Sequence, residues 1–401
     1  MPSALIVGAG IGGLAAGISL RLAGWEVRVL EREAVAREVG FGLGLAPNAM
    51  AALRALGLAE AIVAQSVAPS TGEIRRADGV SLRRFSVKIG ARASALGTRE
   101  SAHLGPADQL RLILRKALHS ALLYGLARQG VVPEVNRGAL RFTAEGARVR
   151  LSLSDGTSAE GDVVVGADGV SSTIRAQLHP AEPPPRPSGY FAVRGLSRAV
   201  DRMDGLHALW YFGSGIESGI VRAGVNEIYW FLSLFAEDVK SGPMDVESVV
   251  RRSTSGFDAQ FRAITGATSP AEMRLDELFV REPLAEWGTG PVTLVGDAAH
   301  PMLPHTGQGA AQALEDAVEL GRALKGTADY VAALRAYEAV RSRRTRRVVS
   351  MGPRIARVTT TKNPIVAMLR NGVIRLMPAN AIVKAFRQAG EGERKTSDAL
   401  S

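Results

Sequence analysis

Near the N-terminus an apolar run, Ala4-Leu5-Ile6-Val7, leads straight into Gly8-Ala9-Gly10-Ile11-Gly12-Gly13. A stretch rich in Ala and Leu follows, and then Val27-Arg28-Val29-Leu30 ends at Glu31. Strand, glycine turn, helix, strand, acid is the order that binds a dinucleotide in a Rossmann-like α/β fold. Each part has a task. Gly8 lets the chain turn off the strand. Gly10 has no side chain, so backbone N–H groups can approach a pyrophosphate. Gly13 lets the helix lie close to the sheet. Ile11 and Gly12 open the helix, whose N-terminus carries partial positive charge toward the phosphates. Glu31, about 20 residues on, can accept from ribose hydroxyls, with Arg32 beside it.

A chain of 401 residues is long for one compact core and calls for two domains, or one with a large insertion. With 46% hydrophobic and 22% charged residues it reads as a globular enzyme rather than a disordered chain. It has no cysteine, which excludes disulfides, thiolate metal sites and dithiol redox chemistry, and no metal site is expected. No apolar run reaches the roughly 18 residues of a membrane span. Residues 4–20 lack charge, but they have no basic leader and their glycines fit the nucleotide turn, so the expected location is cytoplasmic. The net charge of +10 comes from scattered arginines without interleaved aromatics, so nucleic acid is not an expected partner. The densest basic run, Arg341 to Arg347, reads as a solvated helix face. A positive field suits an anionic cofactor and an anionic substrate.

Pro47-Asn48 is the expected start of a helix that stops at Gly57. Residues 106–129 read as one long amphipathic helix beginning at Pro106. Alternation over 139–153 and 158–165 flanks Asp155-Gly156, a hairpin signal. The proline-rich run from Pro180 to Pro187 breaks the chain. Short strands follow at 190–195, 207–212, 217–224 and 227–233, then two helices within 245–265 and a strand at 272–280. At 291–296 a buried-strand pattern returns, followed by helices near 308–325 and 329–350. The nucleotide domain is therefore expected to be discontinuous, with a β-rich domain inserted into it.

Two further strand-to-helix turns carry chemistry. In the first, Asp162-Val-Val-Val-Gly166 runs into Ala167-Asp168-Gly169, with Ser172 and Arg175 on one face of the helix beyond. Asp168 sits at the carboxyl end of its strand, where ligands bind in open α/β sheets. Its other reading is an Asp-Gly turn with a capping Ser. In the second, Gly296-Asp297 follows a strand, Pro301 and Pro304 stiffen the loop, and Gly307-Gln308-Gly309-Ala310 opens a helix. Asp297 is placed to accept from a polyol, and that helix start can aim N–H groups at an anion. Glu315 and Asp316 read as solvent-facing.

The three segments, in this order and spacing, resemble the group A FAD-dependent aromatic monooxygenases, the para-hydroxybenzoate and salicylate hydroxylase-like enzymes. The resemblance covers residues 3–350, is most specific over Gly296 to Asp316, and includes Gly40 to Asn48 and Arg194-Gly195. It implies a Rossmann-like FAD-binding domain at 1–180 and 286–350, a β-sheet-rich substrate domain at 181–285, and C-terminal helices and tail at 351–401. It implies that Glu31 binds the adenosine ribose of FAD, Asp297 the ribityl chain or the pyrophosphate end, and Asp168 with Gly169 both FAD and passing NADPH or NADH. Gly42 belongs to the same set. Pro304 would border the flavin ring, while Gly307, Gln308 and Gly309 would offer N–H groups to its N1–C2=O edge. The family usually carries an Arg shortly before the central helix. This chain has none between Arg99 and Arg111, and Gln109 or a neighbour is the expected substitute.

The implied reaction uses NAD(P)H and O2 to hydroxylate an aromatic or polycyclic small molecule by way of a flavin C4a-hydroperoxide. His305, with Pro304, is the candidate catalytic residue, as a base or as a group that orients a substrate phenol, its other reading being a surface or loop-stabilising role; His300 reads as structural. His207, Tyr211, Arg222 and Trp230 are candidate substrate contacts, each with a core or surface position as its other reading. Only one strand-linked glycine triplet occurs, which suits a nicotinamide that visits briefly. The rival readings are a flavin reductase without oxygen insertion and a non-catalytic flavoprotein that sequesters a hydrophobic ligand. Two amphipathic stretches, from Pro364 and from Pro378, are expected to pack on the body or between subunits of a homodimer, with a membrane surface as the alternative.

Overall fold

The computed structural model describes residues 1–36, 41–86, 109–145, 148–199, 203–224, 226–378 and 381. In chain order the elements begin with β1 (Ser3–Val7), α1 (Ile11–Leu22), β2 (Glu26–Leu30), β3 (Gly42–Leu45), α2 (Pro47–Ala55) and α3 (Ala59–Ala64). Next come β4 (Thr71–Arg76), β5 (Ser81–Ser86), β6 (Arg111–Leu114), α4 (Arg115–Ala127), β7 (Ala139–Glu145), β8 (Arg148–Leu153), β9 (Ser158–Gly161), β10 (Val163–Gly166) and α5 (Thr173–Leu178). Then follow β11 (Arg186–Ser197), β12 (Ala208–Phe212), β13 (Ile216–Arg222), β14 (Ile228–Phe235), α6 (Ala236–Lys240), α7 (Val246–Ser253), α8 (Ala259–Gly266) and β15 (Met273–Val280). The chain closes with β16 (Val292–Leu294), α9 (Gly309–Leu324), α10 (Tyr330–Thr359) and α11 (Pro364–Leu376).

β16, β10, β1 and β2 form a parallel sheet in that order. Their near-continuous apolar residues follow from burial on both faces, with α1, α4 and α9 among the cover. The sheet joins strands from residues 3–30, 163–166 and 292–294, so the expected discontinuity is real. A second sheet runs β15-β11-β14-β13-β12-β4-β5. It draws β4 and β5 from residues 71–86, inside the span read as the first FAD-binding part, because β4 pairs in parallel with β12. Such long-range pairing leaves no local sequence signal. β8 and β9 form the expected hairpin around Asp155-Gly156, but β7 and β8 are separate strands rather than one run over 139–153.

Four other expectations are corrected. Residues 111–114 are strand rather than helix: β6 pairs antiparallel with the glycine-rich β3, and the helix starts only at Arg115. α10 extends past the expected end near residue 350, with Pro353 inside it. Arg341 is not on a solvated face, and Asp316 does not face solvent. Arg341 is 3% and Asp316 0% exposed, and they pair at 2.6 Å. Gly40, the family Arg region through Asp108, and the second C-terminal stretch beyond Ala381 lie outside the described residues. No described helix is long and apolar enough to cross a membrane.

Candidate functional site

The three glycine-bearing turns meet at the carboxyl ends of the parallel sheet. Gly8 has φ +105°, and a Cβ there would stand 2.5 Å from the Ala167 carbonyl oxygen. A Cβ on Gly13 would stand 1.9 Å from the Gly8 carbonyl oxygen. One on Gly12 would stand 3.9 Å from Gly296 Cα. The first, second and third segments are therefore in mutual contact, at distances that only glycine permits at positions 8 and 13. Arg175 fastens the second to the third. It is fully buried and donates through Nη1 to the carbonyls of Ala298 and Ala299 at 3.1 and 3.0 Å. Glu182 neutralises it at 2.5 Å.

Two helix N-termini open onto this place without a side-chain cap. α1 starts after Gly10 and α9 after Gln308, and neither has an acidic residue in its first turn. Cβ atoms on Gly10, Gly169, Gly307 and Gly309 would meet nothing within 4 Å. Glu31 Oε2 accepts from the Ala9 N–H at 2.8 Å, which sets the carboxylate beside the first turn. Asp297 is exposed on the short turn Gly296–Ala298. Asn48 Nδ2 donates to Gln308 Oε1 at 3.0 Å, while Asn48 Oδ1 is buried with no partner. Open glycine faces, uncapped N–H groups, two placed carboxylates and an orphaned amide oxygen fit a bound dinucleotide.

Some expected contacts take other roles. Asp168 accepts from Ser172 Oγ at 2.5 Å and from the Thr173 N–H at 2.7 Å, so its carboxylate holds the start of α5. Burial pushes its pKa up against those hydrogen bonds. Gly42 is needed for contact: a Cβ there would strike the Tyr229 ring at 2.6 Å. Arg32 is exposed and pairs with Glu33. Gln109 is half-buried just before β6. The Arg111 guanidinium beyond it is spent on Ser66 and the Val63 carbonyl.

Residues the sequence did not single out hold the turns. His119 is buried and donates from Nε2 to the Ala9 carbonyl at 2.7 Å. Asp316 Oδ2 accepts from the Gly296 N–H at 2.9 Å and from His300 Nε2 at 2.5 Å, and Oδ1 accepts from Arg341 Nε at 2.6 Å. Burial works to raise the Asp316 pKa, but the charges of His300 and Arg341 outweigh it and hold it at about 2. His300 is thus structural, as expected.

The second sheet presents two different faces. Tyr211 and Trp230 belong to the face covered by α7 and α8, with Leu209, Ile220 and Leu232. Tyr211 donates to Asp258 at 3.2 Å, and Trp230 Nε1 donates to Thr268 Oγ1 at 2.8 Å. Both are fully buried core residues rather than pocket wall. Arg222 pairs in register with Ile228 of that same buried face, at the end of β13. His207 precedes β12, with Nδ1 3.1 Å from Ser70 Oγ. The opposite face carries half-buried Trp210, Tyr229 and Phe231. Phe231 lies over Gly219, and Tyr229 stacks at 6.5 Å on Phe41 beside β3. This face meets the loop at Pro304: His305 Nε2 lies 2.9 Å from Ser233 Oγ, with the imidazole edge on Tyr190. Pro304 itself is exposed, and Gly307 turns the chain at φ +63° into Gln308 and Ala310. Burial lowers the His305 pKa to about 4.

The family described as FAD binding domain matches residues 2–351. An aurachin C monooxygenase/isomerase of Stigmatella aurantiaca is 34% identical, over 94% of this chain and 95% of that one. A 6-hydroxynicotinate 3-monooxygenase of Bordetella bronchiseptica is 31% identical, over 90% and 94%. Among solved structures, Klebsiella pneumoniae HpxO complexed with FAD and uric acid superposes with a TM-score of 0.84 at 25% identity, covering 97% of this chain and 96% of that one.

Proposed function

The chain belongs to the FAD-binding-domain family of flavin-dependent aromatic monooxygenases, and from that premise we propose that it hydroxylates a flat aromatic compound bearing a ring hydroxyl, held on the Trp210–Tyr229–Phe231 face of the second sheet. FAD is the cofactor and NAD(P)H the reductant; when bound, FAD supplies the redox and oxygen-transfer chemistry. The protein's share is binding, orientation and exclusion of water.

In this reading Gly10, Ile11, Gly12 and the α1 N-terminus hold the pyrophosphate, Glu31 the ribose and Asp297 the ribityl chain. Gly307 to Ala310 bring the uncapped N-terminus of α9 to the isoalloxazine edge, where it steadies negative charge without reorganisation. The observation that carries the reading is the His305–Ser233 contact. It joins the loop that opens α9 to the aromatic sheet face. An aromatic ring caught between them would lie against apolar surface on one side and the cofactor on the other. Neutral His305 keeps Nδ1 as an acceptor for the substrate hydroxyl. The Bordetella relative is named for 6-hydroxynicotinate, a hydroxylated heteroaromatic ring. Hydroxyquinolines, hydroxypyridines and hydroxybenzoates therefore form the panel to test. The expected result is substrate-stimulated NAD(P)H oxidation with one atom of labelled O2 in the product. Turnover without O2, or tight binding without NAD(P)H oxidation, would select the reductase or the sequestering protein instead.

A further inference from the structure

On the aromatic face of the second sheet lies a carboxylate beside His305 that the reading above does not use. Glu217 on β13 pairs in register with Ser233 on β14, so the two side chains share a face. Ser233 Oγ is 2.9 Å from His305 Nε2, and Glu217 Oε2 is 3.8 Å from the same nitrogen. Glu217 Oε2 also accepts from Thr359 Oγ1 at 2.6 Å, at the end of α10. The side chains of His305 and Glu217 are 1% and 9% exposed. His305 Nδ1 is buried with no protein partner. Imidazole geometry points Nδ1 away from Ser233 and Glu217. One ring nitrogen therefore serves the sheet and the other is left over.

We propose that Glu217 is a positioning residue that shares a proton with His305, so that the proton lost by a hydroxyl-bearing substrate at Nδ1 is held by the pair rather than by the imidazole alone. The proposal rests on the reading that His305 meets the substrate. The proton bookkeeping closes within the pair. The substrate O–H bond breaks and Nδ1 gains a proton. Nε2 releases one toward Ser233 and Glu217, and the carboxylate becomes a carboxylic acid. No redox partner is needed.

The surroundings suit this role. Burial lifts the Glu217 pKa to about 7 against the Thr359 hydrogen bond and the Arg370 charge. A group poised there exchanges protons at neutral pH, whereas an imidazole held at about 4 does not keep one. The charged groups around the pair are few. Arg370 of α11 donates to the Val358 and Thr359 carbonyls at 3.2 and 2.8 Å and lies over Phe212. It faces Glu217 without a direct ion pair. Lys362, beyond Gly215, is engaged by Glu237 and Asp238 at 2.6 and 2.8 Å. Tyr190 meets the imidazole edge, and its hydroxyl lies 3.3 Å from Thr360 Oγ1.

The test is a pH titration of FAD-loaded protein carrying 13Cε1-histidine, followed by NMR, with the His305 signal assigned from His305→Asn. In the wild type the His305 signal should move through an inflection near the Glu217 value of about 7, apart from the ring's own protonation at about 4. Glu217→Gln should abolish that inflection. Thr359→Val, which removes the hydroxyl donor and keeps the shape, should move it up by about one pH unit. An inflection that survives Glu217→Gln, or a wild type with none, overturns the pair. With the panel compound that stimulates NAD(P)H oxidation most, Glu217→Gln should also remove the acid limb near pH 7 from kcat/KM. A limb unchanged in this variant overturns the proton-holding role even if the NMR coupling exists. A panel in which nothing stimulates turnover defeats the substrate reading alone, and the substrate-free titration still decides the pair.

Discussion

Replacing Arg341 with Met removes the cation that faces Asp316 and keeps most of the side chain's volume. The wild-type guanidinium gives Nε to Asp316 at 2.6 Å, Nη1 to Glu315 at 2.6 Å and Nη2 to the Gln312 carbonyl at 3.1 Å. Glu315 retains Arg344 and Asn48, and Asp316 retains His300 and the Gly296 N–H. The carboxylate is nevertheless fully buried, and stripping one partner from a buried pair costs about 3–5 kcal/mol. Most of that is the penalty of an uncompensated charge, so Arg341→Met/Asp316→Asn should recover more than half of the loss. Equilibrium urea unfolding, followed by the fluorescence of Trp287 beside His300, measures both variants. The same carboxylate sets an acid limit. Its pKa falls from an ordinary 3.8 to about 2 on folding. Its contribution, roughly 2 kcal/mol, is therefore present above pH 3.8 and lost as pH falls toward 2. If Arg341→Met costs under about 1 kcal/mol, or the double variant is as unstable as the two losses summed, the buried network is not what holds the Gly296 turn.

Two further outcomes are expected. Gly13→Ala should yield colourless protein that does not take up FAD on dialysis, because the new methyl collides with the Gly8 carbonyl and displaces the turn; a yellow variant with unchanged FAD affinity contradicts the close packing. Trp230→Ala should cost about 3–5 kcal/mol in urea unfolding, whereas Phe231→Ala should cost much less and instead raise KM severalfold for the accepted substrate. The reverse pattern would mean that the two sheet faces are assigned the wrong way round.

What the chain says by itself is the nucleotide turn and the discontinuous α/β domain; the FAD chemistry came with the family resemblance that its three turns carry. These are written locally. Gly8, Gly10 and Gly13 obey a spacing set by one strand, one turn and one helix, and the turns at Asp168 and Asp297 repeat the same grammar. Side-chain partnerships across long separations are not written that way. Arg341 and Asp316 both looked solvent-facing because helical periodicity cannot reveal a second helix that covers them. Residues 71–86 gave no hint of joining strands more than a hundred residues away. The substrate face shows the reason most plainly. Tyr229, Trp230 and Phe231 are consecutive and all aromatic, and a strand sends alternate residues to opposite sides. Composition put aromatic residues there, but only the layer packed on each side, α7 and α8 on one and the His305 loop on the other, decides which of them are core and which can meet a substrate.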